Sequence, residues 1–394
     1  RKWSGVTQEV SAAVAAWWKA SQQRNWEAVV KKIDDAPERP AQDLQLHENE
    51  LDDLDAPWKP SGYTIGPELA EHPDTAPVMG KQSDSVAIAQ RLDAVRNYVQ
   101  KMPRKYRIAA DRFIELLIED VCDGQSGDKA EGIPWTLDEL IEHQDGPLQK
   151  VRNAEAAPFV LYGPAKAIVN AMLKKEALSD HGAVRNISTL RAEYNLRLGR
   201  FTMGMSRLLK RTKWYSPGKS PEQVAEQVAR CAKAQWVCAA DYSKMDATKN
   251  SALAVHLLLK LFATVFPGEV NEVIDLFVAE IVATAKTASG IPYAAAGSQL
   301  SGSCTTTAAN TLANAFISFA AMLEDAHWGE RTDACQFGVN QRMHPKDAYA
   351  RLGAYAGDDS VSWNGDSMER VGKELGYAIK VEYICQWLDK DEKP

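Results

Sequence analysis

The feature that most restricts what this chain can fold into lies in its second half, where short apolar runs and helix-length stretches follow one another in a set order. Residues 236–240 form a short apolar run closing on Asp241, the pattern of a buried strand. Residues 251–266 and 270–285 read as two helices parted by Pro267-Gly268. A Gly- and Ser-rich turn at 296–302 leads into a helix over 305–324, and 354–363 reads as a hairpin bending at Gly357-Asp358-Asp359. A helix at 367–375 and a strand at 377–383, joined through Gly376, complete the order. The sequence therefore predicts an α+β fold with a small antiparallel sheet backed by helices, of the ferredoxin-like kind.

The first half is plainer. Residues 7–20 read as a helix, apolar at Val10, Val14, Trp17 and Trp18, and 34–60 is acidic and Pro-rich, with 47–56 a surface loop or linker. Helical patterning returns at 86–102 and at 106–121, the latter apolar at Ile108, Phe113, Leu116 and Leu117, and 123–135 reads as a loop. With 394 residues, 45% hydrophobic and 25% charged, the chain can bury a large core in two or three subdomains. The longest apolar runs are broken by His256 and Lys260 or by Asn314 and Ser318, so no transmembrane span is expected, and residues 1–10 lack the pattern of a secretory signal. The six cysteines are scattered without a CxxC pair, which suggests neither a zinc site nor a disulfide scaffold and fits a reducing, cytosolic setting.

A net charge of −7 would argue against nucleic acid as a partner if it were spread evenly. It is not. Residues 161–219 carry twelve Lys or Arg against three acidic residues, a surplus of +9 that leaves −16 for the rest of the chain. A basic block inside an acidic protein suits a channel through which phosphates pass, and equally a solvated helix face.

Three patterns could carry chemistry. Asp241-Tyr-Ser-Lys-Met-Asp246 places one carboxylate at the end of the predicted strand and a second beyond the turn. Gly357-Asp358-Asp359 sits at the hairpin bend, where Asp and Gly are also ordinary turn residues. Between them, Ser301-Gly302-Ser303-Cys304-Thr305-Thr306-Thr307-Ala308-Ala309-Asn310 sets a small loop before a helix and puts Thr306 and Asn310 one turn apart on one face. Such a helix start offers backbone N–H groups to phosphate, and the hydroxyl and amide could read a sugar. Each pattern alone is weak.

Together the three resemble motifs A, B and C of viral RNA-dependent RNA polymerases, in the right order and about sixty residues apart. The resemblance implies a two-metal nucleotidyl transferase in which Asp241 and Asp358 bind Mg²⁺, with Mn²⁺ as the alternative, and Asp359 is auxiliary. It makes Asp246 and Asn310, helped by Ser301 with Gly302 or by Thr306, the group that hydrogen-bonds the ribose 2′-hydroxyl and so favours an RNA product. Lys174-Lys175-Glu176 followed by Val184-Arg185-Asn186-Ile187-Ser188 resembles motif F, which implies that Lys174 (with Lys175 as substitute) and Arg185 touch the incoming triphosphate. Lys380, with Lys373 second, is the candidate motif D lysine that would protonate the leaving pyrophosphate. The Arg-Asn-Ile-Ser segment, Trp214-Tyr215-Ser216-Pro217-Gly218-Lys219 and the form of motif A look most like nodavirus replicases and their relatives.

The resemblance covers residues 163–382 and implies a right-hand polymerase: an N-terminal helical extension and acidic linker at 1–60, fingers at 61–230 and a palm at 231–394 that includes the helices at 251–285. A thumb is expected to be absent or largely missing from this chain. The implied partners are RNA template, nascent RNA and nucleoside triphosphates. Oligomers or a replication-complex assembly would form through regions outside this chain, as would any membrane contact, which places the protein in the host cytoplasm in a membrane-associated viral replication complex. A catalytically silent RNA-binding or assembly scaffold is the alternative, although clustered carboxylates without a cation would then be a needless penalty. A reverse transcriptase is disfavoured by Asp246 and Asn310.

Overall fold

Cys238, Ala240 and Tyr242 are buried, whereas Ala239 is half-buried and Asp241 faces solvent, the period-two alternation of a sheet. The computed structural model describes residues 64–65, 74–75, 80–93, 102–121, 132–144, 146–160, 167–174, 184–231, 236–295, 297–324, 343–363 and 367–385. The helix expected at 7–20, the linker at 34–60 and Lys175 lie outside them.

The described elements begin with a ribbon of β1 (Thr64–Ile65) and β2 (Asp74–Thr75), followed by α1 (Lys81–Ile88), which runs on as a π turn through Asp93. Next come α2 (Arg104–Val121), α3 (Leu137–Glu142), α4 (Pro147–Ala156), the pair β3 (Ile168–Leu173) and β4 (Asn186–Leu190), then α5 (Ala192–Leu209) and α6 (Pro221–Cys231). The second half contains β5 (Trp236–Tyr242), α7 (Met245–Thr248), α8 (Ser251–Leu253), a π turn (Ala254–Leu259), α9 (Lys260–Val265) and α10 (Val270–Ile281). It closes with β6 (Thr284–Thr287), β7 (Pro292–Ala294), α11 (Thr306–Glu324), α12 (Pro345–Ala350), β8 (Ala354–Ala356), β9 (Asp359–Ser362), α13 (Met368–Glu374) and β10 (Ile379–Cys385).

Two four-stranded sheets organise these elements. The first has the order β10-β5-β9-β8, with every pair antiparallel. The edge of β8 is covered by residues 214–216, where Tyr355 N–H donates to the Trp214 carbonyl and Ser216 N–H to the Tyr355 carbonyl, each at 3.0 Å. The second sheet, β4-β3-β6-β7, joins β3 to β4 antiparallel and to β6 parallel, so it draws strands from both sides of residue 231. One continuous core joins both, from Val169 and Leu190 through Ala240 and Tyr242 to Phe316 and Phe319.

The predicted strand, hairpin and helices of the second half are present, with shifts that have physical reasons. The helix expected over 270–285 stops at Ile281 because residues 284–287 pair with β3. The run 251–266 contains a π turn that brings Leu257, Leu258 and Leu259 together into the core. Ile108, counted with the buried face of 106–121, is 59% exposed; it lies opposite the stripe formed by Tyr106, Ala109, Ala110, Phe113 and Leu117. The hairpins β3–β4 and β6–β7 were not foreseen. No single described helix is long and apolar enough to cross a membrane; the bent pair Ser251–Val265 and Pro267–Ile281, with a 107° break, meets the requirement only by length and composition.

Candidate active site

The first sheet brings the two strongest sequence candidates together. Ala240 of β5 is registered with Ser360 of β9, and Ala356 with Asp359, so the end of β5 at Asp241 lies beside the tight turn Gly357-Asp358. Gly357 adopts φ +69°, a left-handed conformation that a side chain would strain. The Asp241, Asp358 and Asp359 side chains are exposed. Partial burial, then the charges of Asp358 and Asp241, push the Asp359 carboxyl up, which places its charge in reach of both.

The floor beneath this turn is α11. It is buried almost all round, yet carries Asn310, Thr311, Asn314 and Ser318 in the core at helical spacing. Asn314 Nδ2 donates toward the carbonyls of Gly357, Asp358 and Asp359 at 3.2, 3.1 and 3.3 Å, and its Oδ1 accepts from the Tyr242 hydroxyl at 3.1 Å. Thr311 Oγ1 accepts from Gly357 N–H at 2.8 Å, and Ser318 Oγ from the Tyr355 hydroxyl at 2.7 Å. Each buried polar group is thereby satisfied, and each fixes a part of the carboxylate sheet. Sequence reasoning missed Tyr242, Thr311 and Asn314. The signal was available, since 310, 314 and 318 form a polar line along an otherwise apolar helix.

Beyond β5 the chain turns through Lys244, whose φ of 54° is left-handed, and Asp246 opens the short α7. Asn310 Nδ2 donates to Asp246 Oδ1 at 2.7 Å. Burial pushes the Asp246 carboxyl up and Asp358 adds to it, while the Asn310 hydrogen bond and the Lys249 charge oppose the rise. The predicted pair Asp246 and Asn310 is thus a direct contact, within electrostatic reach of Asp358.

Ser301, Gly302 and Thr306 occupy the loop ahead of α11, and the structure places them in contact with the second sheet and the loop itself. Ser301 Oγ accepts from Ser188 N–H at 3.0 Å, and Gly302 N–H donates to the Ser188 carbonyl at 2.9 Å. A Cβ at Gly302 would come within 2.7 Å of that carbonyl oxygen, so only glycine permits the approach. Thr306 Oγ1 lies 2.8 Å from the Ser303 carbonyl and 2.9 Å from that of Leu300. Gln299 completes the loop: its N–H donates to the Asp246 carbonyl at 2.7 Å and its side-chain amide to Thr305 and Thr306 hydroxyls at 3.1 and 3.2 Å.

Of the other predicted residues, Lys174, Arg185, Lys373 and Lys380 lie among the described ones. Lys174 N–H donates to the Arg185 carbonyl at 2.8 Å, which sets both at the end of the β3–β4 pair where the connecting segment leaves, with Arg185 exposed. Lys380 stands opposite Asp241 in the β10–β5 register, is exposed and donates to Glu382 at 2.6 Å. That hydrogen bond, followed by the Glu382 charge, raises the Lys380 pKa and keeps the ammonium protonated. Lys373 is exposed on α13.

Among the described residues no group of three or more His, Cys, Asp or Glu side chains is arranged as a ready metal site. The donor chemistry still suits a hard divalent cation, because Asp241, Asp358 and Asp359 are neighbouring carboxylate oxygens whose charges oppose one another.

The family model described as viral RNA-dependent RNA polymerase matches residues 85–375. The chain is 29% identical to the RNA-directed RNA polymerase of Pieris rapae virus over 340 residues, 82% of this chain and 30% of that protein. It is 29% identical to the enzyme so named from striped jack nervous necrosis virus over 285 residues (71% of this chain, 26% of that one), and 27% identical to that of Pariacoto virus over 331 residues (82% and 31%). The chain thus spans less than a third of the length of these relatives. Because the family model matches more than half of the chain, the chain belongs to the viral RNA-dependent RNA polymerases, among their nodavirus-like members.

Proposed function

We propose that this chain carries the catalytic centre for template-directed transfer of ribonucleotides to an RNA 3′ end in viral genome replication. The observation that carries the reading is the placement of Asp241 and Asp358 at adjoining ends of neighbouring strands, over the floor made by Asn314 and Thr311. In this reading Asp241 and Asp358, with Asp359 auxiliary, hold two Mg²⁺ ions, Mn²⁺ being the alternative. When bound, the ions activate the primer 3′-hydroxyl and offset charge on the leaving pyrophosphate.

The chain's own residues supply the rest. Asn310 holds one oxygen of Asp246 and leaves the other free to accept a hydrogen bond from a 2′-hydroxyl, with Ser301, Gly302 and Thr306 shaping the loop around it. In the same reading Lys174, with Lys175 as its substitute, and Arg185 contact the incoming triphosphate. Lys380, or Lys373 after it, holds a proton for the departing pyrophosphate. The arrangement supports a right-hand architecture with a palm built on β10-β5-β9-β8 and fingers on the β3–β4 hairpin. RNA template, nascent RNA and nucleoside triphosphates are the partners this implies, and a membrane-associated replication complex in the host cytoplasm is the setting.

Extension of a defined RNA primer–template with each nucleoside triphosphate and its deoxy counterpart tests the reading. Ribonucleotide addition that follows the template supports it. Equal use of deoxynucleotides would point instead to a reverse transcriptase, and RNA binding without extension to a scaffold.

A further inference from the structure

Beneath the loop that precedes α11 lies a buried charge which the reading above does not use. Lys249, directly after α7, is 8% exposed, as is Glu280 of α10, and Gln299 is 5% exposed. Lys249 Nζ donates to Gln299 Oε1 at 2.5 Å. Gln299 also donates its main-chain N–H to the Asp246 carbonyl and its side-chain amide to Thr305 and Thr306. One residue, through its main chain and its side chain, therefore connects the Asp246 turn to the loop that carries Ser301 and Gly302 and to the start of the helix that carries Asn310.

A neutral donor would satisfy Gln299 without the penalty of burying an ammonium group. Two carboxylates lie within electrostatic reach of the lysine. Burial lowers its pKa, and the charges of Glu280 and then Asp246 oppose that fall. Glu280 is in turn pushed up by burial, with Lys249 and a hydrogen bond from Ser303 opposing, while its Oε1 has no hydrogen-bond partner. The ammonium thus acts on the carboxylate of Asp246 and on a second buried carboxylate, Glu280, which offsets its charge. An ionised Asp246 is an acceptor only, which is the form that can take a hydrogen bond from a 2′-hydroxyl.

We propose that Lys249 is a positioning residue for ribose selection: through Gln299 it fixes the loop against the Asp246 turn, and through its charge it keeps Asp246 available as an acceptor beside Asn310. The inference rests on the assignment of Asp246 and Asn310 to the ribose 2′-hydroxyl.

The test compares wild type with Lys249→Met and with the double variant Lys249→Met/Glu280→Gln, which removes both buried charges and so separates folding from selection. Two ratios are read for each: ribo- over deoxyribonucleotide incorporation, and relative binding of a ribonucleoside triphosphate and its 2′-deoxy analogue by fluorescence titration with Mg²⁺. The expected result is a fall of about tenfold in the ribose preference for both variants, the share of one charge-assisted hydrogen bond, with the double variant recovering thermal stability that the single one loses. A purely structural role would slow both sugars alike; an unchanged ratio in the folded double variant overturns the proposal, as does a wild type without ribose preference in either readout. If wild type binds with preference but never extends a primer, the polymerase reading fails, and the binding ratios of the variants still decide this one.

Discussion

Tyr242 donates its hydroxyl to Asn314 at 3.1 Å, so β5, which carries Asp241, and α11, whose Asn314 also holds the Asp358 carbonyl, share one buried hydrogen bond. Replacing Asn314 with Leu would leave that hydroxyl and three turn carbonyls without their donor or acceptor. The expected loss is about 1–3 kcal/mol of stability by denaturant titration. Primer extension should fall further than stability explains, by roughly 10- to 100-fold, as when a ligand's supporting shell is removed. Tyr242→Phe should show a milder form of both effects.

The carboxylates should behave in the opposite sense. Asp358 and Asp241 both raise the pKa of Asp359, so the cluster stores repulsion when no cation offsets it. Asp241→Asn and Asp358→Asn are expected to abolish extension while the melting temperature in chelator stays level or rises. A drop in melting temperature in chelator would mean that these side chains serve packing.

Much of this was legible in the sequence. Asp241, Asp246, Asn310 and the Gly357-Asp358-Asp359 bend could be found because three patterns, each weak alone, resemble polymerase motifs in their order and spacing. Lys249 and Gln299 could not, since a lone lysine and a lone glutamine in a polar stretch read as solvated, and only tertiary packing buries them. The β3–β4 and β6–β7 hairpins escaped for a related reason: β3 alternates exposed and buried residues, but its apolar Ile168 and Met172 lie on the open face and mask the period. Ser301 and Gly302 were noticed for their chemistry, whereas their contacts with Ser188 join loop to sheet through backbone groups that no side-chain pattern reveals.

Sugar selection should depend on pH. Burial raises the Asp246 pKa, so this carboxyl takes up its proton above the usual carboxylate value of about 3.9. Asp246 in its ionised form is an acceptor for the 2′-hydroxyl; protonation leaves a weaker one. The ribo- over deoxyribonucleotide ratio should fall as pH drops through the raised pKa, and Asp246→Asn should show a low ratio without that pH step. For folding the sign is reversed: the buried ionised carboxyl is unfavourable at neutral pH, and that penalty is relieved as pH falls through the raised folded-state pKa.

Gly302→Ala would set a methyl 2.7 Å from the Ser188 carbonyl oxygen, a backbone atom that cannot turn aside. The loop must then lift from β4. Overpacking of this kind destabilises by about 1–3 kcal/mol, and the Michaelis constant for nucleotide should rise because the loop leading to Asn310 is displaced. Urea titration together with steady-state incorporation checks both.

The central claim is that Asp241 and Asp358 act together in template-directed RNA synthesis. The most direct measurement is incorporation of labelled nucleotides on a defined RNA template with Mg²⁺ or Mn²⁺, comparing wild type with Asp358→Ala at matched folding. Template-dependent extension by wild type that falls to background in the variant is the predicted result. Extension that survives the substitution unchanged would contradict the account.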